Sequence, residues 1–137
     1  MNSHKILAQA NFTNDGTEYD FYSVPLQAVN RSDAKVTQTL VTSLIICENS
    51  NGIGEFTIWL KPDMSTASGA VEELIFCVSP LTAYQTKIIN AGLVLPGDQY
   101  GNNKTSGLVV EVTKTGSGTD STASISMTLM GIEVTRW

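Results

Sequence analysis

The chain is short of charge. Asp, Glu, Lys and Arg make up 15% of its 137 residues, against roughly 25% in typical soluble domains. Eight basic residues stand against 13 acidic ones, the formal net charge is -5, and no segment concentrates Lys or Arg. Nucleic acids and anionic membrane surfaces bind clustered positive charge, so we expect neither as a partner. The remaining polar residues are mainly Ser, Thr, Asn and Gln, which repel neighbouring subunits little.

Histidine and cysteine are also scarce. His4 is the single histidine, and a position so close to the chain start suits a catalytic triad poorly. Cys47 and Cys77 lack the CxxC spacing of zinc sites. We therefore predict no enzymatic activity, no metal and no cofactor. The sequence leaves the pairing of the cysteines open, but no secretory signal is recognisable, which favours two buried free thiols.

Helix signals are nearly absent, and no apolar run is long enough to cross a bilayer. Instead, apolar residues recur at every second position, which is typical of β-strands. The pattern predicts strands at residues 4–12, 18–24, 36–48, 53–61, 71–79, 84–90, 93–95 and 123–135, with another through Leu108, Val110 and Val112. Turn signals separate them and no linker divides the chain. We predict an all-β fold: a single β-sandwich or jelly-roll-like domain over residues 1–137, with about eight antiparallel strands.

The last predicted strand changes phase. Its apolar stripe runs through Ile125, Met127 and Leu129 and resumes one residue late at Ile132. A glycine at such a step is typical of a β-bulge, so we predict a bulge at Met130–Gly131.

Several large apolar residues fall where strict alternation predicts solvent: Trp59, Ile75, Cys77, Val109, Val41 and Ile45. Their strands are either covered on both faces within the monomer or in contact with another subunit. Because the sequence provides no helices to cover a second face, we favour the second explanation. Trp59, Ile75, Val109, Val41 and Ile45 are accordingly the predicted interface residues.

Four segments carry a family resemblance: Tyr22-Ser-Val-Pro25, Ser43-Leu-Ile-Ile-Cys-Glu-Asn49, Ile89-Asn-Ala-Gly-Leu-Val-Leu-Pro-Gly-Asp98 and Met130-Gly-Ile-Glu-Val-Thr135. Together they resemble the small β-sandwich virion structural proteins of tailed bacteriophages, especially cyanobacterial and marine phages. The resemblance implies a capsid decoration, or cement, protein that stabilises the head lattice. It further implies a homo-oligomer that binds the major capsid protein or other virion proteins, and a virion location after assembly in the host cytoplasm.

Two alternatives remain at this level. A tail, neck or fibre-associated component would share the same composition and fold. A carbohydrate-binding β-sandwich module would instead use exposed aromatic side chains, for which Trp59, Tyr84 and Tyr100 are the candidates.

Overall fold

The part of the chain that the computed structural model describes contains eight strands. The described residues are 3–13, 15–26, 34–48, 54–65, 74–81, 84–98, 104–113 and 124–136, with backbone alone at Gly54 and at 74–81. The strands are β1 (His4–Thr13), β2 (Glu18–Ser23), β3 (Lys35–Glu48), β4 (Gly54–Lys61), β5 (Leu74–Leu81), β6 (Thr86–Pro96), β7 (Gly107–Thr113) and β8 (Ser124–Arg136).

The strands form two four-stranded antiparallel sheets. Sheet A has the order β1-β8-β3-β6, and sheet B has the order β2-β7-β4-β5. Each strand from the first half of the chain pairs with one from the second half: β1 with β8, β2 with β7, β3 with β6 and β4 with β5. The arrangement is one long hairpin with its tip between β4 and β5, rolled so that β8 also pairs with β3 and β7 with β4. This is a jelly roll, which confirms the predicted all-β class.

The core lies between the two sheets. It is built from alternate residues that point inward, including Leu44 and Ile46 of β3, Phe56 and Ile58 of β4, Leu108, Val110 and Val112 of β7, and Ile125, Met127 and Leu129 of β8. Phe12 of β1 and Phe21 of β2 meet edge to face with ring centroids 5.6 Å apart. The period of two in the sequence therefore selects the buried face of each of these strands.

Strand β6 is continuous where the sequence predicts two short strands around Ala91–Gly92. Exposed and covered residues alternate from Thr86 to Leu95 without interruption. Gly92 lies on the exposed side, where a side chain would meet no atom within 4 Å. The strand therefore continues through the glycine, and the prediction of two separate strands is wrong. Its pairing with β3 does shift at this point, because Ala91 and Gly92 together lie opposite the single residue Thr42.

The predicted bulge lies at the expected level of sheet A but not in β8. Residues Leu129 to Gly131 pair without an insertion, whereas both neighbouring strands carry one extra residue there, Leu7 in β1 and Thr42 in β3. The Thr42 hydroxyl donates to the carbonyl oxygen of Met130 at 3.2 Å and lies 2.7 Å from His4 Nε2. In β8 itself the alternation of faces continues through Gly131, which is buried, so the apolar residue Ile132 lies on the outer face instead of resuming the inward stripe.

Candidate assembly surfaces

On the outer face of sheet B, Trp59 and Val109 are direct partners across β4 and β7. Directly opposed residues share one face of a sheet. Trp59 is half-buried, and Val109 is 0% exposed. Val109 therefore lies on the predicted outer face but is already covered within the monomer, which corrects the expectation that it is available to a neighbour.

The segment that follows β4 packs against the residues at the start of β7. The backbone N–H of Met64 donates to the carbonyl oxygen of Thr105 at 2.9 Å, and a Cβ on Gly107 would lie 2.7 Å from the Met64 sulfur. The Ser65 hydroxyl and N–H donate to Asp63 at 2.6 and 3.0 Å. These bonds, aided by nearby lysine charges, hold the pKa of Asp63 below its ordinary value. The start of the β4–β5 connection thus folds against the first residues of β7.

Val41 is the second predicted interface residue that the structure places in the interior. It is 0% exposed and belongs to the core cluster between the sheets. Leu44 and Ile46 point inward, so strict alternation would place the odd-numbered Val41 on the outer face. Because Thr42 is an extra residue in β3, the alternation of faces reverses there and Val41 points inward as well. The sequence pattern read without the bulge assigns Val41 to the wrong face.

Ile45 does lie on the outer face of sheet A, where it is half-buried. Its partners in the register are Thr128 on β8 and Ile88 on β6. Beyond Thr128 the same row ends at Gln9, whose amide donates to the Thr128 hydroxyl at 3.1 Å. The row therefore changes from polar at β1 to apolar at β6.

A second row on this face repeats the pattern. Leu40 of β3 lies between Ile132 of β8 and Val94 of β6. Ile88 is 62% exposed and Val94 is 47% exposed, and Ile6 at the opposite edge of the sheet is 55% exposed. We name the set Leu40, Ile45, Ile88, Val94 and Ile132 the outer apolar patch, whose two rows lie on either side of the polar pair Ser43 and Asn90.

The five predicted interface residues thus divide between the two sheets. Ile75, Trp59 and Val109 occupy neighbouring positions across β5, β4 and β7, although the side chain of Ile75 lies outside the described residues. Val41 and Ile45 both lie on β3, and of these Ile45 alone faces outward. The predicted set is therefore not one surface.

Sequence reasoning missed the exposed residues of β6. The outward stripe Thr86, Ile88, Asn90, Gly92, Val94 and Pro96 follows a strict period of two. Interpreting Ala91–Gly92 as a break hid this stripe, since it divided the pattern into two short pieces. The uninterrupted alternation from Thr86 to Pro96 is the sequence signal that identifies Ile88 and Val94 as outward-facing residues.

The residues of the resembling segments form a polar network that joins the two sheets. The Tyr22 hydroxyl donates to Glu133 at 2.7 Å and lies 2.8 Å from the Thr39 hydroxyl. Lys5 forms an ion pair with the same carboxylate. Burial is the main reason that the pKa of the Tyr22 phenol is raised far above its usual range. The network holds β2 of one sheet against β1, β3 and β8 of the other.

Ser106 joins two further segments. Its hydroxyl donates to the carbonyl oxygen of Pro96 at 2.6 Å, and its own carbonyl accepts the N–H of Val24 at 3.0 Å. Val24 belongs to the Tyr22–Pro25 segment and Pro96 to the Ile89–Asp98 segment. These segments therefore have a structural role at one end of the sandwich.

Metal sites and membrane-spanning helices depend on residues that group closely or form long apolar runs. Within the described ranges, no three His, Cys, Asp or Glu side chains are grouped closely enough to hold a metal ion. No helix among these residues could cross a membrane.

Cys47 is a free thiol that is half-buried rather than fully buried, and the Thr86 hydroxyl lies 3.6 Å from its sulfur. Cys77 lies on β5 in the other sheet, and its side chain is outside the described residues.

Two of the three candidate sugar-binding aromatics can be placed. Trp59 is half-buried on sheet B, whereas Tyr84 precedes the first residue of β6 in sheet A and is 71% exposed. Tyr100 lies outside the described residues. Trp59 thus lies on a strand of sheet B, and Tyr84 lies in the connection that leads into sheet A.

The fold is similar to chains from several viral particles. A chain of the T13 particle of infectious bursal disease virus is 13% identical with a TM-score of 0.49, over 96% of this chain and 35% of that chain. A chain of the acidic stable capsid of Helicobacter pylori bacteriophage KHP30 is 12% identical with a TM-score of 0.39, over 100% of this chain and 99% of that chain. A chain of the cyanophage Pam1 capsid asymmetric unit is 10% identical with a TM-score of 0.40, over 97% of this chain and 86% of that chain.

The chain spans about a third of the length of the bursal disease virus chain. No protein-family model and no curated protein sequence matches it. Its structural neighbours thus include viral capsid chains, two of them from phages. Similarities of this size concern the fold and assign no function.

Proposed function

We propose that the chain is a non-enzymatic structural protein of a tailed-phage virion, and within the virion a capsid decoration protein that stabilises the head lattice. The observation that carries this proposal is the outer apolar patch of sheet A. It lies outside a sandwich whose own core is already filled. Exposed apolar surface outside a filled core favours contact with another protein.

Composition and the resembling segments support the same proposal. A charged fraction of 15% leaves few charges to be desolvated when copies pack side by side. The four resembling segments favour a virion protein over other β-sandwich proteins. The proposed partners are the major capsid protein or other virion proteins together with further copies of this chain, and neither nucleic acid nor membrane is among them.

Two contact regions are proposed on the monomer. The first is the outer apolar patch, which contains Ile45 of the predicted set. The second is the row through Ile75 and Trp59 on sheet B, where the half-buried indole is the large side chain best suited to anchor a contact. Val41 and Val109 are excluded from both because they are buried in the monomer.

Fractionation of purified particles tests the location. Heads and tails are separated, and the chain is located by quantitative mass spectrometry. A decoration protein is expected in the head fraction in many copies. Recovery with tails, necks or fibres would instead support the alternative structural role and overturn the decoration proposal.

Substitution of Ile45 tests the contact itself. Ile45→Asp should lower occupancy on stripped particles at least about tenfold, because a carboxylate would have to be desolvated in an apolar contact. Gln9→Asp adds the same charge at the polar end of the same row and should leave occupancy unchanged. Trp59→Ala tests the sheet B row in parallel, with an expected loss of about 2 kcal/mol of binding free energy. Melting temperatures of all three variants separate lost binding from lost folding.

A further inference from the structure

The outer face of sheet A carries no carboxylate among the residues that the structure describes. Its four strands contain two acidic residues, Glu48 and Glu133. Glu133 accepts the Tyr22 hydroxyl between the sheets, and Glu48 is buried and pairs with the core residue Ile125. Both acidic side chains therefore point inward, although the chain as a whole has 13 acidic residues and a net charge of -5.

The outer face of sheet B is acidic by comparison. Asp20 lies directly opposite Val109 on this face, and Glu111 follows two residues after Val109 on the same strand. Glu55 belongs to the outward stripe of β4 that includes Trp59. Facing surfaces of like charge repel each other. Two copies of this acidic chain therefore meet with the least repulsion at the outer face of sheet A.

The same face holds exposed aliphatic side chains over an area that suits a dimer. Ile6, Ile88 and Val94 are the most exposed large aliphatic residues that the structure describes, and all three lie on it. Its strands have ten residues or more. At the spacing and rise of β-strands the face measures roughly 19 by 34 Å, or roughly 650 Å². Each partner of a stable protein pair buries about 800 Å², and homodimer contacts are apolar and depleted of charge.

We propose that a second copy of this chain covers the outer face of sheet A, and that the two faces stack about a two-fold axis that runs across the strands. Lys35 and Arg136 are directly opposed at one end of β3 and β8. An axis along the strands would stack this basic pair on the same pair of the second copy. An axis across the strands instead places it over the uncharged end of the face, near Cys47 and Ser126. Repulsion between like charges therefore selects the axis across the strands.

This axis also makes the outer apolar patch complementary to itself. Counted along β8, the two rows of the patch lie two residues to either side of Met130. An axis that crosses the sheet at Met130 places the row of Ile45 and Ile88 on the row of Leu40 and Val94 of the second copy, and the reverse. Side chains of stacked sheets interdigitate, so each row covers the other.

The inference deepens the proposed function by naming a further copy as the partner of the outer apolar patch. It leaves the row through Ile75 and Trp59 to other virion proteins. It rests on the proposed function for the place of the dimer on the head, whereas the dimer itself is measurable in isolated protein.

Sedimentation of the isolated protein tests the contact. At about 0.1 mM the protein should sediment as a dimer, and Ile88→Asp should raise the dimer dissociation constant at least about tenfold, because a carboxylate would be desolvated against apolar side chains. Leu26→Asp is the matched control: it adds the same charge at an exposed aliphatic residue that follows β2 of sheet B. This control should leave the dissociation constant unchanged. A wild-type chain that remains monomeric, or equal effects of the two variants, would overturn the proposal.

Cross-linking tests the direction of the axis. Cys47 and Gln38 both lie on the outer face of β3, and their partners on β8 are four residues to either side of Met130. In a background with Cys77→Ser, one variant keeps Cys47 and the other combines Cys47→Ser with Gln38→Cys. An ethylene-bridged bismaleimide should link the two variants in a mixture, because they face each other across sheets about 10 Å apart. Neither variant should link to itself, since like positions are offset by about 27 Å along the strands.

The outcomes separate the arrangement from the function. Cross-linking of the Cys47 variant with itself would place the axis along the strands and overturn the proposed arrangement. A monomer that occupies heads would overturn the dimer and leave the proposed function intact. A dimer in the proposed arrangement that is absent from heads would contradict the proposed function and leave the stacking intact.

Discussion

Gly131 lies in β8 at a point where the neighbouring strand leaves no space for a side chain. A Cβ there would lie 2.1 Å from the carbonyl oxygen of Leu40 and 2.8 Å from a methyl group of Leu7. Its φ is not in the left-handed region, so the requirement for glycine at this position is steric. The close approach occurs at the level where β1 and β3 each carry an extra residue.

Gly131→Ala should therefore destabilise the protein by about 1 to 3 kcal/mol, the usual cost of forcing extra volume into a packed site. Gly92→Ala provides the control, because a Cβ at Gly92 meets nothing within 4 Å. Urea unfolding of both variants at low protein concentration gives the comparison. If the Gly131→Ala and Gly92→Ala variants had equal free energies of unfolding, β3 would be able to shift and accommodate the added Cβ without loss of stability.

Tyr22 combines burial with two side-chain hydrogen bonds, to Thr39 and Glu133. Its raised pKa means that the folded protein keeps the phenol proton at a pH where the unfolded chain has released it. The stabilisation is complete below the unfolded pKa of about 10 and is lost progressively as the pH rises above that value.

Tyr22→Phe should lower the free energy of unfolding at pH 7 by about 1 to 3 kcal/mol, because Glu133 and Thr39 lose a buried partner. Above about pH 10 the wild type should lose stability more steeply than the variant, since the variant has no phenol to ionise. Unfolding curves between about pH 7 and 11 measure both effects, and the other tyrosines contribute equally to the two proteins. If the free energies of unfolding of the wild type and the variant fell equally steeply above about pH 10, the proposed role of Tyr22 burial would be contradicted.

At the scale of strands, the period of two predicts most of the fold. It places the bounds of β1, β2, β3, β4, β7 and β8 within a residue or two, and it selects the inward faces of β4 and β7. The sequence pattern of one strand carries no information about an insertion in a neighbouring strand. The inward position of Val41 depends on Thr42 being extra relative to β8, and that relation exists only once the strands are paired.

The candidate surfaces were harder to predict than the strands. Alternation gives Ile45 an outward position, in agreement with the structure, but it cannot show that Val109 is fully buried although it is paired with Trp59 on the outer face of sheet B. Edge position is likewise a property of strand order, which a single strand's composition does not reveal. Ile88 becomes a candidate contact because β6 lies last in sheet A.

For the whole molecule, the shortage of charge bears on how it attaches to other proteins. If the proposed contacts rest on apolar burial, raising salt from about 0.05 to about 0.5 M should leave particle occupancy nearly unchanged. Attachment through ion pairs would weaken over the same range. Occupancy measured at several salt concentrations with one protein preparation distinguishes the two cases, and a tenfold loss would contradict apolar attachment.

The pairing of early strands with late ones also sets the order of events during synthesis. Strand β8 lies between β1 and β3, so the centre of sheet A is missing until residues near 136 have left the ribosome. Contacts so distant along the chain make folding slow compared with helical domains of this size. The outer apolar patch depends on this sheet. Nascent chains therefore cannot present a finished contact surface before β8 has been synthesised and paired.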